Sequence, residues 1–133
     1  MFLFGQTLDR IILNALDEDV GTGDITTEST IPESRIAHGC YKAKEDGILC
    51  GIGVAKRVFE LIDPTIEFTA YRNDGDKIEK SEVIAEVVGK AANVLMGERT
   101  GLNLMQRMSG IATRTYEAVR AVEGTKAKIC DTR

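Results

Sequence analysis

The sequence predicts an α+β chain: a small unit of strands and two helices over residues 1–97, then one long helix and a short strand that open an α/β arrangement over residues 98–133. Three observations carry this. Between residues 35 and 90 most apolar residues alternate in short runs bounded by Gly, Asp and Pro, as half-buried strands do. Two other stretches place apolar residues at i, i+3 and i+4, the spacing of one helix face. From Gly97 the period is helical as far as Gly124, and only then does alternation return.

Taken in order, Leu8, Ile11, Ile12, Ala15 and Leu16 fall on one face, and Thr7 is placed to cap it, which predicts a helix over Thr7 to Asp19. Gly21 and Gly23 in "DVGTGDITTES" stop that helix, and the Thr- and Ser-rich run to Pro32 reads as a loop. Arg35 to Ile48 is strand-like, with Gly39 inside it and a turn at Asp46-Gly47. Ile52, Ala55, Val58, Phe59 and Ile62 define a second helix, ended before Pro64. In "TIEFTAYRN", Ile66, Phe68 and Ala70 alternate with Glu67, Thr69 and Tyr71. Asp74-Gly75 makes a turn, "KIEKSEVIAEVVG" supplies a second strand pair, and "KAANVLM" is expected to continue the sheet. Glu98, Arg99 and Thr100 are expected to begin the long helix. Its stripe runs through Leu104, Met105, Met108, Ile111, Ala112, Tyr116, Val119 and Val122 to a C′ glycine at Gly124, with an interruption open at Ser109-Gly110. Lys126 to Cys130 in "GTKAKICDTR" then alternates as a strand.

Composition narrows the function classes. With 133 residues, 43% hydrophobic and 29% charged, the chain has the makings of an ordinary core. A net charge of −4 without a Lys/Arg-rich block leaves a nucleic-acid partner no electrostatic footprint. No apolar run approaches the ~18 residues of a membrane span, and "MFLFGQTLDR" lacks the basic region of a secretion signal, so a soluble, cytoplasmic protein is expected. Cys40, Cys50 and Cys130 form no C-x-x-C pair and have only His38 as a nitrogen ligand, which argues for reduced thiols and against zinc. Residues 98–133 hold seven basic against four acidic groups, and the first 97 hold ten against seventeen. A basic segment on an acidic body suits an anionic ligand.

Four stretches carry possible chemistry. "DVGTGD" could offer backbone N–H groups to a phosphate, but it follows a helix and lacks the strand-glycine-helix order of phosphate loops; a helix stop with an Asx-turn at Asp24 is the other reading. "DGDKIEKSEVIAEVVG" resembles the hammerhead hairpin of biotinyl and lipoyl carriers, yet has no modifiable lysine at a hairpin tip, since Lys90 sits in "VGKAAN". In "GERTGLNLMQRMSGIATRT", Arg99 near a helix start could grip a carboxylate through two parallel hydrogen bonds, or could be a solvated surface arginine. Asp131-Thr132-Arg133 lies where a strand would reach its C-terminal end, the ligand edge of parallel α/β folds.

"EDVGTGDITTE", "ERTGLNLMQRMSGIAT" and "GTKAKICDTR", in this order and spacing, resemble the quinolinate phosphoribosyltransferases, also called nicotinate-nucleotide pyrophosphorylases (carboxylating), over essentially the whole chain. The resemblance implies an N-terminal α/β-hammerhead sandwich domain over residues 1–97, followed by the first helix and strand of an incomplete α/β barrel, the type II phosphoribosyltransferase architecture. It implies transfer of phosphoribosyl from phosphoribosyl pyrophosphate to quinolinate with Mg²⁺, releasing pyrophosphate and CO₂ and giving nicotinate mononucleotide in NAD synthesis. By motif match Arg99, Thr132 and Arg133 would hold quinolinate carboxylates. No catalytic residue and no metal ligand is assigned within the chain, and the Mg²⁺ ligands are expected beyond residue 133. The expectation is therefore an N-terminal part of an enzyme: a truncation, a proteolytic product or one half of a split protein. The alternatives are a non-catalytic assembly or dimerisation module, or the molybdenum-transport-associated relative in the same family.

One inference follows from length. A continuous helix over residues 98–123 would run ~39 Å, while a returning strand of five residues covers only ~17 Å, leaving Arg99 and Arg133 of one chain ~20 Å apart. Either the helix folds sharply at Ser109-Gly110, or Arg99 serves a site on a neighbouring chain, which is the family's arrangement and implies a homodimer with shared sites.

Overall fold

The computed structural model describes residues 2–21 and 31–132. Its elements are α1 (Phe2–Val20), β1 (Ile36–Lys42), β2 (Gly47–Ile48), α2 (Ile52–Ile62), β3 (Glu67–Ala70), β4 (Lys77–Ile78), β5 (Val83–Lys90) and α3 (Ala91–Ala121). β1, β5 and β3 form an antiparallel sheet with β5 in the middle, and β2 pairs antiparallel with β4. The mixed architecture of small sheets and segregated helices is the one the sequence pattern predicts.

β5 takes the centre because Val83-Ile84-Ala85-Glu86-Val87-Val88 is rich in β-branched residues that fit a pleated surface. Its register with β1 and β3 brings Gly39, Val87 and Phe68 into one row and Tyr41, Ala85 and Ala70 into the next. That face meets α2 and α3. Tyr41, Phe59 and Phe68 form an aromatic cluster there, with ring centroids 5.8–6.4 Å apart. Around it lie Leu49, Ile52, Ala55, Ile66, Ile78, Ile84, Val94 and Met105. A second cluster joins α1 to the other side of α2 through Ile12, Leu16 and Val58.

Both ends of α2 are held by side chains distant in sequence. Gly51, at a φ of +97° that glycine adopts freely, turns the chain into α2, and Asp74 in the β3–β4 turn accepts hydrogen bonds from the N–H groups of both Gly51 and Ile52 at 2.8 and 2.9 Å. Asp74 thus caps a helix from 22 residues away. At the other end, the Asp63 carboxylate accepts from the Thr65 hydroxyl and N–H and from the Asn93 side chain in the first turn of α3. These bonds, the Thr65 hydroxyl foremost, hold its carboxyl below the usual range.

α3 approaches α2 and the sheet closely because glycine faces them. A Cβ at Gly97 would lie 2.7 Å from the Phe59 ring, and one at Gly101 3.0 Å from the Tyr41 hydroxyl. Farther along, hydroxyls do the docking. Ser109 Oγ accepts from the Cys50 N–H and donates to the Cys50 carbonyl, and Thr113 Oγ1 accepts from the Ile48 N–H and donates to the Ser109 carbonyl.

Four expectations are corrected. α1 includes residues from Phe2 on, so Thr7 lies inside a helix rather than at its cap. "KAANVLM" is the start of α3 instead of more sheet: Ala91 and Val94 bury their small and branched side chains at helical spacing against the core. α3 is one helix of 31 residues beginning at Ala91, so it starts before the expected Glu98, and the alternative of a break at Ser109-Gly110 is closed. Lys126 to Cys130 belongs to no strand and is exposed: it lies in neither sheet, and alternation without a paired neighbour does not make a strand. The loop reading of residues 22–30 lies outside the described residues.

The packing predicts opposite outcomes for two glycines of one helix. Gly97→Ala should destabilise the protein by about 1–3 kcal/mol, since its methyl meets Phe59 and Ile62. Gly110→Ala, with open space around its Cβ, should stabilise it by about 0.5–1 kcal/mol through helix propensity. Urea denaturation measures both, and equal signs would refute the close-approach argument. Because the Asp63 carboxyl is held low in the fold, the unfolded chain takes up its proton first as pH falls. Stability should therefore decline through the acid range, and Asp63→Asn should flatten that decline in melting temperatures taken from pH 6 to pH 3.

Candidate functional site

Arg99 is the ninth residue of α3, in its third turn, on the side away from the buried positions Val94, Gly97, Gly101 and Met105. The expectation of a helix beginning at Glu98 is therefore corrected: the backbone N–H groups near Arg99 are consumed inside α3 and offer no anion site. What remains is the guanidinium. Its side chain is 73% exposed, and its Nη1 donates to Asp19 Oδ1 at 3.2 Å, at the far end of α1.

The other arginines show how different this is. Arg57 on α2 has its Nε and Nη2 on the two oxygens of Asp9, at 2.8 and 2.9 Å, and its Nη1 on Glu60 at 3.1 Å. All three nitrogens are committed, and the Asp9 and Glu60 carboxylates push its pKa upward. Arg114 and Arg120 pair with carboxylates three residues on, as solvated helix faces do. Arg72 pairs with Glu82 beside the sheet. Arg99 combines a distant carboxylate with a largely exposed fork.

Beside it, Tyr41 sits under α3, with its hydroxyl 3.4 Å from the Glu98 carbonyl. Burial, and then the Glu98 carboxylate, push the Tyr41 phenol far above its ordinary range, so it stays protonated and serves packing. A cavity of about 250 Å³ opens between β1 and α3, lined by Cys40, Tyr41, Lys42, Lys44, Val94 and Glu98.

Of the three expected substrate residues, Thr132 is exposed and outside any helix or strand, and Arg133 lies outside the described residues. Arg99 and Thr132 are not brought together by any hydrogen bond among the described residues; the ion pair of Arg99 goes to Asp19. Asp24 and Gly23 of the "GTGD" stretch also lie outside the described residues, while Gly21 ends α1 with a φ of +57°. Sequence reasoning missed Asp19. Its only signal is the acidic run Asp17-Glu18-Asp19 at the end of a helix, and nothing in the chain order ties it to a residue 80 positions on.

Among the described residues no group of three or more His, Cys, Asp or Glu is placed to hold a metal ion, and no helix is long and apolar enough to cross a membrane. Cys40, Cys50 and Cys130 are free thiols. Burial, reinforced by the nearby Asp74, raises the Cys50 thiol and makes it a poor nucleophile.

A helix-and-sheet unit with an exposed arginine on its longest helix is the class of structure that known proteins can now identify. The model of the quinolinate phosphoribosyl transferase N-terminal domain matches residues 24–109. A probable nicotinate-nucleotide pyrophosphorylase [carboxylating] of Bacillus subtilis is 44% identical over 126 residues, which is 95% of this chain and 43% of that protein. A mitochondrial quinolinate phosphoribosyltransferase [decarboxylating] 2b of Nicotiana tabacum is 43% identical over 127 residues, 95% of this chain and 36% of that one. The crystal structure of NadC from Streptococcus pyogenes superposes with a TM-score of 0.90 at 34% identity, covering 96% of this chain and 46% of that one. The chain belongs to the quinolinate phosphoribosyltransferase family, and spans less than half the length of the curated relatives it matches.

Proposed function

We propose that the chain is the N-terminal part, with two of the substrate cations, of an enzyme that joins quinolinate to phosphoribosyl pyrophosphate, giving nicotinate mononucleotide, pyrophosphate and CO₂. The observation that carries this reading is Arg99, an exposed guanidinium projected from the helix that bears the family's "ERTGLNLMQRMSGIAT" stretch. The names of its relatives favour an enzyme over a non-catalytic assembly module or a transport-associated relative.

Quinolinate carries two carboxylates, and a planar guanidinium binds such a group while fixing its orientation. Orientation matters because the ring nitrogen must face the anomeric carbon of the phosphoribosyl donor as pyrophosphate leaves. The ribosylated nitrogen is cationic and stabilises the carbanion left on the adjacent ring carbon when its carboxylate departs as CO₂, a carbanion that a proton from solvent then quenches. The residues proposed here therefore position the substrate and neutralise its charge. Arg99 does this together with Thr132 and Arg133. Mg²⁺ would accompany the pyrophosphate group, but the described residues do not form a site for it, so no step is assigned to the metal on this chain.

The unbroken α3 favours sites shared between two copies. Twenty-two residues of helix separate Arg99 from Ala121, a rigid span of ~33 Å, and the bend that would have folded it back is not there. A homodimer in which Arg99 of one protomer serves the site holding Thr132 and Arg133 of its partner accommodates that length. We place this activity in the cytoplasm.

In the assembled enzyme, Arg99→Ala should raise the quinolinate KM by about 30-fold or more, as expected for removing one partner of a charged pair. Assayed at quinolinate near the wild-type KM, chains carrying Arg99→Ala alone and Arg133→Ala alone should each retain only a few per cent of wild-type activity. Co-refolded in equal amounts they should recover about a quarter of wild-type activity, since half the dimers are mixed and each mixed dimer has one intact shared site. Absence of recovery would overturn the shared site.

A further inference from the structure

We propose that Asp19 is a positioning residue for Arg99: its carboxylate holds one Nη group and leaves the remaining edge of the guanidinium presented to a dicarboxylate substrate. The proposal rests on the reading of Arg99 as a substrate cation given above.

The argument starts with α1. Asp9, Ile12, Leu16 and Asp19 follow one another at spacings of three and four residues, so they share one stripe. Ile12 is fully buried and Leu16 nearly so, which fixes that stripe against its neighbours. The two aspartates at its ends each meet an arginine, Asp9 meeting Arg57 on α2 and Asp19 meeting Arg99 on α3. The first pair is two-pronged and tight. The second uses a single contact of 3.2 Å, from a carboxylate whose side chain is 26% exposed to a guanidinium that is 73% exposed.

The placement of Asp19 runs against local preference. It follows Asp17 and Glu18 at the C-terminal end of α1, where the helix already presents partial negative charge, and no basic residue lies in that last turn. A carboxylate there is tolerated best when a cation from elsewhere meets it, and Arg99 is that cation. An exposed single-point pair adds little to stability. Its effect is on freedom: a long side chain with many rotamers is restricted to those that keep Nη1 on Asp19, so less ordering remains when substrate arrives. Breaking a local rule without a stability gain is the pattern of a functional position.

The test uses steady-state kinetics of the assembled enzyme with Asp19→Asn, Asp19→Glu, Arg99→Ala and the Asp19→Asn/Arg99→Ala double variant. Asp19→Asn should raise the quinolinate KM about three- to ten-fold and leave kcat and the phosphoribosyl pyrophosphate KM within two-fold, with Asp19→Glu retaining most of the affinity. The double variant should be no worse than Arg99→Ala. A quinolinate KM unchanged by Asp19→Asn but raised by Arg99→Ala overturns the positioning role alone. So does a lowered KM, which would make Asp19 a competitor for the guanidinium, and so does equal loss for both substrates, which would mark a structural role. A quinolinate KM unchanged in Arg99→Ala overturns the reading of Arg99 and this proposal with it.

Discussion

Everything in this structure depends on how near α3 comes to α2 and to the sheet beside it. Phe59, Tyr41 and Phe68 fill the interior, and a helix can lie over them only where its own surface is bare. Gly97 and Gly101 supply that surface one turn apart, so the helix backbone itself becomes the wall of the core. Glycine in a helix interior costs about 1 kcal/mol in propensity, and burial of a Phe ring returns more than that. The same contact fixes the rotation of α3 about its axis, and with it the direction in which Arg99 points.

The rotation is reinforced where apolar packing thins out. Beyond Met105 the stripe of Met108, Ile111 and Val119 is only partly covered or exposed, yet the helix does not wander, because Ser109 and Thr113 each bond both the β2 segment and a carbonyl. Hydroxyls inside a helix usually bend it or turn back on it. Here they satisfy the backbone of Ile48 and Cys50 at the point where the chain leaves the small sheet and has no ladder to join. A side-chain network takes over from a hydrophobic one along a single element, and the site arginine lies within the apolar part.

Much of the fold was legible. Ile52 to Ile62 reads as a helix and forms one, and the alternation in "TIEFTAYRN" and "EVIAEVVG" marks β3 and β5, because those segments bury one face and the period records it. The start of α3 was not legible, since "KAANVLM" lacks a capping side chain and its Ala, Val and Leu suit either period; tertiary contact with Phe59 decided it. Lys126 to Cys130 shows the converse. Its alternation is real, but a strand exists only by pairing, and pairing is not a property of five residues. For the site, Arg99 could be picked out by its motif, whereas Asp19 and Asp74 could not, because each acts across a distance in sequence that no local pattern encodes.

The length of α3 has an evolutionary meaning. From Gly97 to Thr113 its contacts are spaced by the turn of the helix, and each added or removed residue rotates all that follows by about 100°. A single deletion near Arg107, on an exposed surface where substitutions would pass unnoticed, would swing Ser109 and Thr113 off Cys50 and Ile48 and turn the helix's far end to a new heading. The segment is permissive in composition and rigid in count. Variation along it should accumulate as exchanges of one side chain for another, with gaps confined to the turns on either side.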